Sequence, residues 1–113
     1  MIMLQRLQTE HRLQQDQLKW MIRMVLPTSN SAELTDADLS GLTAQELTYA
    51  RNEIYARYGY VFDSKELNDY FATKSWYTVN SAATDDSLSD LEKKNAEFIR
   101  IYQENNQLKY DVK

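Results

Sequence analysis

Few residues in this chain could carry out covalent chemistry, and those few stand apart. The 113 residues include no cysteine and a single histidine, His11. Thiolate nucleophiles, disulfides, iron–sulfur clusters and cysteine-based zinc sites are excluded, and so is a multi-histidine metal site within one chain. Serine and threonine are plentiful, but there is no Gly-x-Ser-x-Gly elbow, and a Ser-His-Asp triad would have to be built on His11 near the start. Two carboxylates on a small domain could move protons, yet no spacing selects a pair. The chain is expected not to be an enzyme, with no catalytic residue and no cofactor.

One stretch imitates a calcium loop. Asp36-x-Asp38-x-Ser40-Gly41 follows the first half of an EF-hand, but the twelfth position is Leu47, where a bidentate Glu is needed. Glu46 falls one residue early and has another use at a helix start. No metal site is expected.

The remaining chemistry is recognition. Nine aromatic residues lie between positions 49 and 77: Tyr49, Tyr55, Tyr58, Tyr60, Phe62, Tyr70, Phe71, Trp76 and Tyr77. Most should be core, because a domain this small needs large side chains to bury enough area. Trp76 and Tyr77, at a helix end before a polar loop, are the candidates for an exposed platform that stacks on sugars or on a partner's apolar side chains. Arg51, Asn52, Glu53 and Arg57 sit inside the aromatic stretch. They suit structural work, a guanidinium stacking on a ring and Asn52 capping a backbone group. An anion clamp of Arg51 and Arg57 is awkward, since on a helix the two project about 120° apart. Arg57 and Tyr58 join Trp76 and Tyr77 as candidate binding residues on an aromatic–arginine surface.

These residues need elements to position them. Only two glycines and one proline occur, which disfavours phosphate-binding loops and turn-dense all-β folds. Residues 2–25 read as a helix whose Leu4, Leu7, His11, Gln14, Leu18, Met21 and Val25 form a heptad-like seam, ended by Pro27. This seam could pack on the domain behind it or serve self-association through residues 4–25. Residues 27–35 read as a polar linker. Thr35-Asp36-Ala37-Asp38 can cap one helical turn. Thr43-Ala44-Gln45-Glu46 is a capping box, and Leu47, Ala50 or Arg51, Ile54 and Tyr58 follow at helical spacing. Gly59 is the expected stop. A short helix follows Asp63-Ser64, with Leu67, Tyr70 and Phe71 as its stripe. The last helix is expected from near Ser87 to about Asn105, with Leu88, Leu91, Asn95, Phe98 and Tyr102 inward. Asn95 there reads as a buried amide tying the helix to another segment. From Asn106 the tail looks frayed.

The predicted fold is all-α: a leading helix plus a small bundle of about three helices and a short extra turn. The domain order is 1–26 leading amphipathic helix, 27–35 linker, 36–106 helical domain and 107–113 tail. The formal charge is −4 with a pI near 4.9, which disfavours nucleic acid as a partner. The charge is uneven. Residues 1–26 carry four basic and two acidic groups, and the other 87 carry nine and 15. No run approaches the roughly 20 apolar residues of a membrane span. The apolar run Trp20–Leu26 is too short and too far from the start for a secretory signal, and it contains Arg23. As written, the chain is expected to stay where it is made, unless it is a piece of a longer one.

The segment Leu42–Glu104 resembles the YARHG domain of bacterial proteins. The likeness is carried by Asp38-Leu39-Ser40-Gly41-Leu42, by Ala50 through Gly59, by Phe62, Leu67, Tyr70-Phe71 and Trp76-Tyr77, and by Leu91-Glu92-Lys93-Lys94-Asn95. It covers about the last two-thirds of the chain and leaves out residues 1–26. The resemblance implies a small extracytoplasmic helical module, often at the end of membrane-anchored or exported proteins, and implies no particular reaction. One departure matters. The family has His at the fourth motif position, where this chain has Tyr58, so a catalytic or metal-binding histidine there does not carry over. Tyrosine keeps an aromatic body and a hydrogen-bonding tip, which preserves a packing role. The expected function is a non-catalytic binding or spacer module of the envelope that contacts a protein or a cell-wall polymer. The alternative is a structural protein that self-associates through its leading helix.

Overall fold

The computed structural model describes residues 23–113. The leading helical seam up to Met21, and self-association through it, fall outside the described residues. Among the described residues there are four α-helices and no strand: α1 Asp36–Leu39, α2 Ala44–Ala56, α3 Lys65–Ala72 and α4 Asp90–Asn105, with a 3-10 turn at Asp85–Ser87. None of these helices is long and apolar enough to cross a membrane.

The starts follow from capping chemistry. Thr35, Thr43 and Ser89 each accept from the backbone N–H three residues on, while Asp38, Glu46 and Glu92 bond back to the cap residue. Each box satisfies two N–H groups that have no partner within the helix. Asp38, half of the calcium-like pattern, is thereby occupied at the start of α1. The last helix begins at Asp90, later than the spacing suggested, because Thr84 and Ser87 close their own capped turn first.

Helix α2 stops at a left-handed residue. Gly59 has φ of +85°, and a Cβ there would lie 2.2 Å from the Thr78 carbonyl oxygen. Both the backbone angle and the close approach require glycine. The contact lets the Asn80 N–H donate to the Gly59 carbonyl at 2.8 Å, pinning the loop after Tyr77 to the end of α2.

Two apolar clusters hold the helices together. In the first, Leu47, Ala50 and Ile54 of α2 meet Ala96 and Ile99 of α4, with Leu26, Leu34, Leu39 and Leu88 closing the ends. In the second, Ala56, Phe62, Leu67 and Phe71 join α2 to α3, surrounded by Tyr49, Tyr60, Tyr70, Trp76 and Tyr77. Each fully buried Leu, Ile or Phe contributes roughly 1.5–3 kcal/mol.

Two segments differ from the sequence-based expectation. Residues 27–35 are packed rather than a free linker: Ser29 and Leu34 are buried. The Asn95 amide explains this. Its oxygen accepts from Leu34 N–H at 3.0 Å, and its nitrogen donates to the Ser29 and Ala32 carbonyls at 2.8 and 2.9 Å. The side chain does for this segment what a strand partner would do elsewhere.

The tail is likewise docked rather than frayed. Gln107, at φ 53°, turns the chain back after α4, and Leu108 N–H reaches the Gln103 carbonyl at 2.8 Å. The Tyr110 hydroxyl donates to Glu66 at 2.8 Å. Lys113 N–H donates to the same carboxylate at 3.1 Å, while Glu66 N–H donates to the Lys113 carbonyl at 2.9 Å. Tyr49 also donates to Glu66. These donors, the Tyr49 hydroxyl first, hold the Glu66 carboxyl down to about 2.

Candidate binding groove

Helix α2 and its C-cap residue carry two arginines, Arg51 and Arg57, that go to opposite work. Arg57 turns toward the segment that enters the domain. Its guanidinium donates to Ser29 Oγ at 2.7 Å and to the Leu26 carbonyl at 2.9 Å, and lies 3.5 Å from the Glu53 carboxylate. Glu53 is 0% exposed and accepts from the N–H groups of Val25 at 2.9 Å and Leu26 at 3.2 Å. Burial pushes the Glu53 carboxyl up, against the pull of those two N–H groups and of Arg57. Burial also lowers the Arg57 guanidinium, opposed by Glu53. Lys74 is buried as well, with Nζ 4.7 Å from the centre of the Tyr70 ring. This ionic cluster is a clamp on residues 24–29, and it leaves Arg57 no free face for a ligand.

The other three predicted residues do not assemble with Arg57 into one site. Tyr58 is 36% exposed and donates its hydroxyl to Glu92, the capping carboxylate of α4. That bond ties the end of α2 to the start of α4, which is the packing role open to a tyrosine in place of histidine; the same bond raises the Tyr58 phenol. Tyr77 donates to the Tyr60 carbonyl at 2.8 Å and is half-buried. Trp76 packs on Phe71, ring centres 6.1 Å apart, and its buried indole N–H has no hydrogen-bond partner among the described residues. Neither Trp76 nor Tyr77 is wholly buried, and both belong to the rim of the second apolar cluster.

Arg51 faces elsewhere. It lies on the wall of an open groove of about 660 Å³ between α2, α4 and the chain before α3. The floor includes Phe62, Leu67, Ala96 and Val112, and the walls carry Arg51, Asn52, Tyr55, Tyr60, Asp63, Asp85 and Lys93 with Glu97 and Arg100. The size is that of a small-ligand site. Burial lowers the Arg51 guanidinium, with the Tyr55 phenol as the main opposing influence. Burial, then the Asp85 carboxylate, pushes the Tyr55 phenol up. The Tyr55 and Tyr60 rings meet edge-on at 5.6 Å.

About half of the polar side chains that line this groove are used internally, among them Asn52, which donates to the Thr48 carbonyl at 2.8 Å, and Ser64, which donates to the Lys113 carbonyl at 2.5 Å. Arg100 is paired, donating to Glu97 at 3.0 Å and to Glu104 at 2.7 Å, and Lys93 lies 3.9 Å from Asp86. Among the described residues, the side chains of Arg51, Asp63 and Asp85 and the hydroxyls of Tyr55 and Tyr60 make no hydrogen bond or ion pair. Arg51, Tyr55 and Tyr60 are half-buried and held in place by the packing around them, while Asp63 and Asp85 are exposed at the rim. No group of three or more His, Asp or Glu among the described residues could hold a metal ion.

The offset of about 120° expected between Arg51 and Arg57 is seen in their surroundings, with Arg57 in the buried ionic cluster and Arg51 in the groove. The groove residues were missed because they come from four separate stretches. Arg51 and Asn52 with Tyr55, and Lys93 and Ala96 with Glu97 and Arg100, show the three- and four-residue spacing that puts them near one helix face.

No curated protein and no solved structure matches the chain. The family model for the YARHG domain matches residues 22–104, so the match extends through the clamped segment that the resemblance had left out, and the chain belongs to the YARHG domain family.

Proposed function

We propose that this chain is a non-catalytic binding module of the bacterial envelope, and that it contacts a protein or a cell-wall polymer through the groove beside Arg51. The observation that carries this reading is the set of unspent groups there: one guanidinium, two carboxylates and two phenols around an apolar floor. Of these, the half-buried Arg51, Tyr55 and Tyr60 make no side-chain hydrogen bond among the described residues, so their polar atoms are held in place and open to a ligand. Membership in the family supports an extracytoplasmic setting through the resemblance that introduced it. The absence of cysteine excludes thiol chemistry, and the single histidine lies far from the groove in sequence.

Co-sedimentation with purified cell-wall sacculi tests the wall alternative. The wild type is expected to pellet, and Arg51→Gln, with an unchanged urea midpoint, is expected to stay in the supernatant. A wild type that stays in the supernatant removes the wall polymer and leaves the protein partner. Equal pelleting of both forms sinks the groove as the site.

A further inference from the structure

We infer that the groove beside Arg51 takes an uncharged oligosaccharide. This rests on the groove being the binding site, and it goes further by naming the ligand's chemistry.

The first argument is charge. Arg51, Lys93 and Arg100 bring three positive charges to the lining, and Asp63, Asp85 and Glu97 bring three negative ones. A polyanion would meet the unpaired Asp63 and Asp85, and a polycation would meet Arg51. Each mismatch costs affinity without a compensating partner.

The second argument is the kind of hydrogen bonding on offer. The unspent groups include pure acceptors (the two carboxylates), a pure donor (the Arg51 guanidinium) and two phenols that do both. A sugar hydroxyl donates and accepts at once, so a row of hydroxyls can use all three kinds. The C–H faces of the sugar rings would lie against the half-buried Tyr55, Tyr60 and Val112, which line the groove together with the buried Phe62 and Leu67.

The third argument weighs against a peptide. Peptides are recognised by adding a strand to a sheet edge, by laying a helix in an apolar trough, or by seating a proline helix between aromatic ridges. Among the described residues there is no strand. The apolar floor is interrupted by charged side chains, and Tyr55 and Tyr60 meet edge-on rather than as parallel ridges.

The test is backbone-amide NMR of the full chain titrated with the uncharged tetramer of N-acetylglucosamine. A parallel titration uses an uncharged, acetylated and amidated octapeptide of mixed polar and apolar residues. The tetramer is expected to shift the resonances of residues 51–63 and 93–100, and the peptide is not. Arg51→Gln and Asp63→Asn should each weaken the tetramer about tenfold, the worth of one charge-assisted hydrogen bond, with the untitrated spectrum otherwise unchanged. Among the described residues the exposed Asp63 side chain makes no hydrogen bond or ion pair, so its variant remains informative if Arg51→Gln perturbs the fold. Groove shifts with the peptide alone would overturn the sugar while leaving the groove as a binding site. Tetramer shifts confined to residues outside the groove would overturn both, as would no shift with either probe.

Discussion

The two faces of α2 use the same kinds of residue for different ends. On one face Glu53 and Arg57 are buried and bonded to residues 24–29; on the other, the Arg51 guanidinium and the Tyr55 hydroxyl stand in an open groove and make no hydrogen bond among the described residues. An arginine among aromatic residues is therefore not by itself a sign of a site. What distinguishes the two is whether its hydrogen bonds are already made. A spent polar group belongs to the stability of the fold, and an unspent one is free to act on a ligand.

That contrast is most exposed to failure at Glu53. Glu53→Ala strips the partners from the Val25 and Leu26 N–H groups and leaves Arg57 without its buried anion. Urea unfolding is expected to show a loss of about 3–5 kcal/mol. A loss below ~1 kcal/mol would mean that the clamp is not holding the entering segment. The next effect is at Asn95. Asn95→Leu removes three hydrogen bonds to residues 29–34 and should cost about 2–3 kcal/mol, with faster hydrogen exchange at Leu34 than in the wild type. If Leu34 stayed protected, the segment would owe its position to Leu26 and Leu34 burial alone.

The docked tail sharpens the comparison from a third side, because its anchor is also a spent carboxylate. Glu66 is held to about 2 in the folded chain, below the ordinary 4.5. A depressed folded-state value means that its contribution is present above the ordinary value and is lost as pH falls from there toward 2. The Lys113 amide, which donates to Glu66, should therefore report an NMR titration with a midpoint near 2, absent in Glu66→Gln. A midpoint near 4.5 would mean the Tyr49 and Tyr110 hydroxyls do not hold that carboxylate. The smallest effect is at Gln107, whose φ of 53° suits glycine better. Gln107→Gly should raise stability by about 0.5–1 kcal/mol. A loss instead would show that the Gln107 side chain helps to seat the tail.

How much of this was legible beforehand depended on range along the chain. The cap at Thr35, the capping box at Thr43, the stop at Gly59 and the inward Asn95 depend on neighbours within a few residues or on a polar residue in an apolar stripe, and such signals survive in one dimension. The 27–35 segment misled because its composition is that of a loop, while its order comes from Asn95, 61 residues away from Leu34. The tail misled for the same reason, since Tyr110 bonds to Glu66 across 44 residues. The groove was the least legible part. Asp63 and Asp85 mean nothing until α2 and α4 are packed, whereas the aromatic density between positions 49 and 77 was read as mostly core, and much of it surrounds the second apolar cluster.

The most direct test of the central claim is a matched pair, Arg51→Gln and Arg57→Gln, each measured for urea stability and for binding of the N-acetylglucosamine tetramer. The account predicts that Arg57→Gln loses about 2 kcal/mol or more of stability and, where folded, binds as the wild type does. Arg51→Gln should keep its stability to within ~0.5 kcal/mol and lose binding. The contradicting result is the reverse assignment, with Arg51 needed for folding and Arg57 for binding.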